Sequence, residues 1–286
     1  MASLLLAGLI VGLTIMKSDE VMASLKHANG YWAAAGLGCY WVNYLFRSMR
    51  FCTISSNMLK FWPDAVKATC LHGLAAYMLP LQVGDLTLPV ILKTINHTEW
   101  MEGGRILIKS RILDVSTLGF CMICSALFAQ VHVPVLLRTG WMATGVAMLF
   151  SAVWINLMIS LGLKLSSPVL IKYVRIFETV SINWQEVVLS MGIWAAIGGC
   201  IFCAARAVGL ALGSGDVVFL ISVQLPLQLI PVQGFANAGN HEGGWIAALA
   251  ILGIPASDSL TFALASHALV LVYVMSLGAI ALIARK

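Results

Sequence analysis

Asp85, Asp114, Arg206, Asp216, Glu242 and Asp258 are ionisable side chains at or inside long apolar runs. At the centre of a membrane helix such a charge costs roughly 2.5–3.5 kcal/mol unless it is paired or hydrated, so residues of this kind belong against a polar cavity. Around Asp85 the chain reads Pro80-Leu81-Gln82-Val83-Gly84-Asp85-Leu86-Thr87-Leu88-Pro89, a turn of two prolines and a glycine with polar side chains near its tip. Around Glu242 the stretch Gln233-Gly234-Phe235-Ala236-Asn237-Ala238-Gly239-Asn240-His241-Glu242-Gly243-Gly244 is the densest polar cluster within any apolar region. Carboxylates, amides and guanidinium groups at membrane depth suit the recognition of a polar or charged headgroup.

Each residue has more than one reading. Asp85 either caps the free amides of a helix that begins there or belongs to an anion site at a helix N-terminus. Glu242 leads straight into the apolar residues 245–252, as a polar turn dipped into the bilayer would, while an exposed loop would equally account for the asparagines and glycines. A buried carboxylate there must be paired, hydrated or protonated. His241 is a proton relay or a plain hydrogen-bonding group. Arg206 either snorkels to an interface or clamps an anion, because guanidinium matches phosphate oxygens bidentately and keeps its charge. Two Cys-x-x-Cys pairs, Cys121 with Cys124 and Cys200 with Cys203, have no neighbouring His or carboxylate and read as small helix-packing residues. No Ser-His-Asp order, zinc motif, phosphate-cradling loop or dinucleotide fingerprint is present, so an enzymatic activity is not expected.

The elements that must hold these side chains are membrane helices. Of 286 residues 60% are hydrophobic and 10% charged, against about 45–50% apolar and about 25% charged in soluble domains. A mean hydropathy of +0.93 excludes a water-soluble domain, and the apolar runs do not alternate as barrel strands do. The fold class expected is all-α, a polytopic membrane protein of about six transmembrane helices plus two re-entrant hairpins. Seventeen Lys and Arg against twelve Asp and Glu give a net charge of +5. Because they sit in short loops between apolar runs, the basic residues read as positive-inside signals rather than as a nucleic-acid surface.

Residues 2–16 read as a short, uncleaved first span, since the basic flank of a signal peptide is missing. The second span, 31–46, ends in a basic loop holding Arg47, Arg50, Lys60 and Lys67, which is expected in the cytoplasm. Residues 65–95, broken by Pro80, Gly84, Asp85 and Pro89, read as a re-entrant hairpin. An interfacial amphipathic helix is expected at 101–114, then spans at 115–133 and 141–163. A mixed segment, 164–186, leads to a span at 187–212, a second broken segment at 216–253 and a last span at 259–284. Two halves, 1–138 and 139–286, would thus share the order span, span, hairpin, span in opposite orientation, with both termini in the cytoplasm. Pro80-Leu81-Gln82 and Pro231-Val232-Gln233 match at the two tips. Broken apolar segments at corresponding places in inverted halves point to a transporter's binding site.

Pro80, Gln82, Gly84 and Asp85 occupy the positions of a Pro-x-Arg-x-Gly-Glu signature, and Arg111 to Asp114 match Arg-x-x-Asp before a span. Pro231, Gly239 and Glu242 fit Gly-x-Gly-x-x-Glu after a proline, and Arg47 and Arg50 match a basic end to the second span. In these motifs the chain resembles the lysylphosphatidylglycerol synthetase transmembrane-region family, which includes the flippase half of the multiple peptide resistance factor and stand-alone integral membrane proteins. It departs where the usual Arg is Gln82, the usual Glu is Asp85 and a further expected Arg is Leu88, which points to a different or less anionic headgroup. The resemblance implies translocation of a lipid, without a cofactor, by a multi-pass protein of a bacterial inner membrane.

On this reading Gln82, Asp85, Gln233, Asn237, Asn240, His241 and Glu242 contact the headgroup of a phospholipid or polyprenyl-phosphate glycolipid. Arg47, Arg50, Arg111, Asp114 and Arg206 attract, pair or orient around its phosphate, an attraction several-fold larger in a partly buried cavity than in water. The partners expected are the lipid substrate and the bilayer, with no nucleic acid and with a homo-oligomer left open. Two rival classes are a membrane-embedded enzyme on a lipid-linked substrate, with Glu242 or His241 as general base, and a non-transporting assembly subunit.

Overall fold

The computed structural model describes residues 26–55, 62–128, 135–165, 182–228 and 234–283. All regular structure among them is helical: α1 (Gly30–Ile54), α2 (Trp62–Met78), α3 (Thr87–Asn96), α4 (Trp100–Phe128), α5 (Val135–Leu149), α6 (Ser151–Leu165), α7 (Trp184–Ala207), α8 (Ser214–Gln228), α9 (Asn240–Ile251) and α10 (Ala256–Ile283). Two tight 3-10 turns, Pro80–Leu86 and Phe235–Asn237, lie between α2 and α3 and between α8 and α9.

Asn29 starts α1 by accepting the amides of Tyr31 and Trp32 at 3.0 and 3.4 Å, and Asn183 starts α7 by accepting that of Gln185 at 3.3 Å. These two helices form the most extensive pair and run antiparallel: the Asn29 amide meets the Ala207 carbonyl at one end, and Arg50 meets Ser190 at the other. Small residues allow the approach, since a methyl group added at Gly199 would lie 3.0 Å from Cys39 Sγ and one at Gly192 3.0 Å from Phe46.

After α1 the chain folds into a helical hairpin, α2 and α3, whose turn is pressed onto α2. An added methyl at Gly84 would lie 2.3 Å from the Ala75 carbonyl oxygen, so only glycine fits. A second hairpin, α8 and α9, follows α7, and the two 3-10 turns touch. The contacts are reciprocal: α4 packs on α8 of the second hairpin, and α10 packs on α2 of the first. The main apolar core gathers Trp194, Ile201, Leu220, Trp245, Leu249 and Phe262 from α7 to α10, and a smaller one gathers Phe51, Leu88, Leu92, Ile106 and Leu113 under the first hairpin.

Three helices, α4, α7 and α10, are long and apolar enough to cross a membrane, and a fourth span results if α5 and the start of α6, bent by 59°, count as one. The protein is therefore a multi-pass helical membrane protein. The expected span at 2–16 lies outside the described residues.

Several expectations are corrected. The second span does not stop at residue 46: α1 runs on to Ile54, so Arg47 and Arg50 project from a helix and not from a loop. The expected interfacial helix at 101–114 is the first half of the continuous helix α4, in which Ile106, Lys109, Leu113 and Asp114 are buried. A helix lying in the interface would expose its charged face, whereas this one turns its charges onto partners within the protein. The span expected straight through 141–163 is bent at Phe150. Pro226, taken as a break, lies within α8.

Candidate functional site

Arg50, only 1% exposed, is the bulkiest fully buried side chain among the described residues. Its Nη1 donates to Asp114 Oδ1 at 2.7 Å and to Ser190 Oγ at 2.9 Å, so one side chain joins α1, α4 and α7. Arg111, one turn before Asp114 on α4, donates to Asp114 Oδ2 at 3.4 Å and also ion-pairs with Asp85 in the first tip turn. Arg47, one turn before Arg50, donates from Nε to Asn43 Oδ1 at 3.0 Å and has no carboxylate in contact among the described residues. His72 on α2 is buried within electrostatic reach of Arg111, Arg47 and Asp114. Three guanidinium groups thus surround two carboxylates, which leaves one positive charge in excess at the first hairpin. The Nε–H groups of Arg50 and Arg111 are buried and make no hydrogen bond among the described residues.

This settles how Asp85 is held. No side chain caps the start of α3, and Asp85 is tied to Arg111 rather than to free helix amides. It also explains the departure at Leu88, which is fully buried in the smaller apolar core. Cations reach the first tip from α1 and α4 and not from the hairpin itself.

At the second tip Glu242 is 3% exposed. Its Oε2 accepts the Gly239 amide at 2.8 Å, the glutamate half of a capping box, and its Oε1 contacts Nδ1 of His267 on α10. His267 Nε2 donates to the Ala236 carbonyl at 2.8 Å. Ala236 and Asn237 hold left-handed backbone, φ 53° and 61°, within the turn. The His241 ring lies 4.7 Å from that of His267, and its Nε2 accepts the Trp245 indole N–H at 3.1 Å, with the Ser266 hydroxyl 3.2 Å away. An indole N–H only donates, so that nitrogen carries no hydrogen and His241 is a neutral hydrogen-bonding group. Asn237 is buried, and Asn240 keeps a buried Nδ2 with no partner among the described residues.

A strip of tyrosines links the two tips. Tyr40 and Tyr44 on α1 are hydroxyl to hydroxyl at 3.2 Å. Tyr77 on α2 lies within electrostatic reach of both Tyr44 and Glu242, its ring edge-on to His267 at 5.9 Å and its buried hydroxyl without a partner among the described residues.

The residues named from sequence are therefore brought together in two groups. Arg47, Arg50, Asp85, Arg111 and Asp114 meet at the first tip, and Asn237, Asn240, His241 and Glu242 at the second. Gln82 sits in the first turn with its side chain outside the description, and Gln233 lies outside the described residues altogether. Arg206 joins neither group. It is exposed at the far end of α7, about 24 Å along the helix from Ser190 at 1.5 Å per residue, and stacks over Phe202 at 5.1 Å. That is the exposed, stacked arrangement a snorkelling arginine adopts.

Sequence reading missed His267, Tyr77, Ser190 and a buried ion pair, Lys109 to Glu186 at 2.7 Å, which ties α4 to α7. The signal for His267 was available: it is the sole ring nitrogen base in the run from Ala256 to Ile283.

A helical membrane protein with two broken hairpins whose turns meet beside clustered charged side chains is the class that fold and site define. A family model described as lysylphosphatidylglycerol synthase TM region matches residues 1–278, and the chain belongs to that family. No curated protein and no solved structure matches the chain.

Proposed function

We propose that the protein translocates a lipid, moving the headgroup of a phospholipid or polyprenyl-linked lipid between leaflets while the tails stay in the bilayer. The observation that carries this reading is the succession of buried and half-buried polar side chains between apolar helices, from Asp85, Arg111 and Arg50 through Arg47 and the tyrosines to Glu242 and His267. Side chains this costly to bury are retained in membrane proteins where they line a substrate path. The surplus positive charge at the first tip suits a headgroup phosphate, and the Nη groups of Arg47, which make no hydrogen bond among the described residues, are the contact point.

The hairpins are read as re-entrant, within two inverted halves of three helical units each around the antiparallel pair α1 and α7. Residues 2–16 and the bent α5 and α6 add one span per half, giving six spans in the inner membrane of a bacterium. The protein acts as a transporter and not as an enzyme, with the lipid as its substrate, the bilayer around it, and no cofactor.

The test is reconstitution of the purified chain in vesicles with labelled lipid classes. Redistribution between leaflets without change in lipid mass supports translocation, and a change in mass with no redistribution would replace it by lipid chemistry. Arg47→Ala is expected to lower the redistribution rate at least tenfold in a protein that still purifies as a single species.

A further inference from the structure

We propose that Glu242 and His267 form a proton-binding site whose occupancy decides whether the second hairpin tip is docked on α10, a coupling of protons to lipid movement that rests on the translocation reading above. The geometry counts the proton. His267 Nε2 faces the Ala236 carbonyl at 2.8 Å, and a carbonyl only accepts, so Nε2 carries a hydrogen. Nδ1 faces Glu242 Oε1. A ring protonated at both nitrogens meets a carboxylate there, and a ring protonated at Nε2 alone meets a carboxylic acid. In both arrangements one proton lies between Nδ1 and Oε1, and in both the pair is neutral.

Loss of that proton to water leaves a nitrogen lone pair against a carboxylate oxygen and one uncompensated negative charge, on side chains only 14% and 4% exposed. Glu242 cannot turn away freely, because Oε2 is held by the Gly239 amide at 2.8 Å. The repulsion is relieved when His267 and Glu242 part. His267 is on α10, while Glu242 and Ala236 belong to α9 and to the tip turn, so parting also releases the carbonyl of a residue whose φ of 53° is strained for a side chain bearing Cβ. Tyr77, edge-on to the His267 ring with its hydroxyl unpartnered among the described residues, is placed to take up a hydrogen bond as the pair separates.

The pair differs from the other ion-paired carboxylates around the two tips among the described residues. Asp114 and Asp85 meet arginine and Glu186 meets lysine, whereas the partner of Glu242 is a histidine, the side-chain type whose unperturbed charge change falls nearest neutrality. Among the described residues few other charges face it. On α9 there is His241, a neutral acceptor, and on α2 there is Tyr77. The first tip turn carries Asp85, tied to Arg111. On α8 the near residue is Gln224, against Gly244, while Asp216 sits at the helix start on the Gly213 amide. Toward α10, α1 presents Tyr40 and α7 Cys203, both near Tyr273, and the acid of α10 itself, Asp258, is exposed in its first turn.

The test has two arms on the full chain. In detergent, infrared difference spectra between about pH 5 and 8 are expected to show a carboxyl and imidazole signal that is lost in both Glu242→Gln and His267→Gln. A wild-type spectrum without it, or one unchanged by either substitution, overturns the proton site. In vesicles of phosphatidylethanolamine and phosphatidylglycerol, movement of fluorescent NBD-phosphatidylglycerol is expected to change severalfold when a pH gradient is imposed and to return when nigericin dissipates it. Equal rates with and without the gradient overturn the coupling and leave translocation standing. Absence of any probe movement in the wild type counts against the translocation reading, and the infrared arm then decides the proton site by itself. Should Glu242→Gln fail to assemble, His267→Gln carries both arms.

Discussion

Arg50 shows what a single side chain does here. A guanidinium at 1% exposure is tolerated because Asp114 Oδ1 and Ser190 Oγ receive its Nη1 at 2.7 and 2.9 Å. Removing one member of a buried pair strands the other, so Arg50→Ala should cost about 3–5 kcal/mol. Replacing both members by apolar residues of similar volume removes the stranded charge. Arg50→Met with Asp114→Leu should therefore recover most of the loss while still abolishing lipid movement. Thermal unfolding of the purified variants in detergent checks the first half, and a single variant within about 0.5 kcal/mol of wild type would mean that the pair is hydrated rather than buried. The candidate site was legible to the extent that charge in an apolar run signals a cavity. That logic found Asp85, Asp114 and Glu242. It placed Arg47 and Arg50 in a loop, because the partners that bury Arg50 lie 64 and 140 residues away and nothing local in sequence marks them. His267 escaped because a histidine need not be charged and so does not register as a cost.

Elements fail to end where charge suggests they should when the charge has a buried partner. α1 continues for two turns past Phe46, and α4 runs unbroken through Lys109 and Asp114, since Lys109 meets Glu186 of α7 at 2.7 Å. The positive-inside count was drawn partly from these residues, so much of the charge that assigned sidedness is structural. Helix existence was readable from long apolar runs, and the two hairpins were readable from their proline and glycine breaks. The bend between α5 and α6 was not, because no proline or glycine marks Phe150. Packing between elements depends on small residues at particular heights. At Gly119 on α4 an added methyl would lie 2.4 Å from the Leu149 amide nitrogen and 2.5 Å from the Gly145 carbonyl oxygen, both backbone atoms of α5. Backbone cannot rotate aside, so Gly119→Val should cost about 1–3 kcal/mol and push α5 off α4. Gly104, on the same helix with nothing within 4 Å of an added methyl, supplies the control. Gly104→Ala should be neutral or gain up to about 1 kcal/mol from helix propensity. Comparison of the two melting temperatures decides it, and equal destabilisation by both would refute the close-approach account.

At the scale of the whole molecule the antiparallel pairing of α1 and α7 sets the sides. The C-terminal end of α1 and the N-terminal end of α7 share one side, as Arg50 and Ser190 record, and the opposite ends share the other, as Asn29 and Ala207 record. The first hairpin hangs from the C-terminal end of α1 and the second from the C-terminal end of α7, and their turns touch; on the proposed re-entrant reading their open ends emerge on opposite sides. The re-entrant reading proposed above meets these conditions with two inverted halves. Two exposed positions report it directly: Glu99, in the link between α3 and α4, and Ser257, at the start of α10. In a chain with its seven native cysteines replaced, Glu99→Cys and Ser257→Cys should react with an impermeant maleimide from opposite faces of the membrane. Exposure of both to the same face would require the hairpins to enter from one side, and with antiparallel α1 and α7 that arrangement would pull the tips apart. The Arg111–Asp85 and Glu242–His267 clusters would then no longer lie at the two ends of one polar strip, and the path proposed for a headgroup would be lost with them.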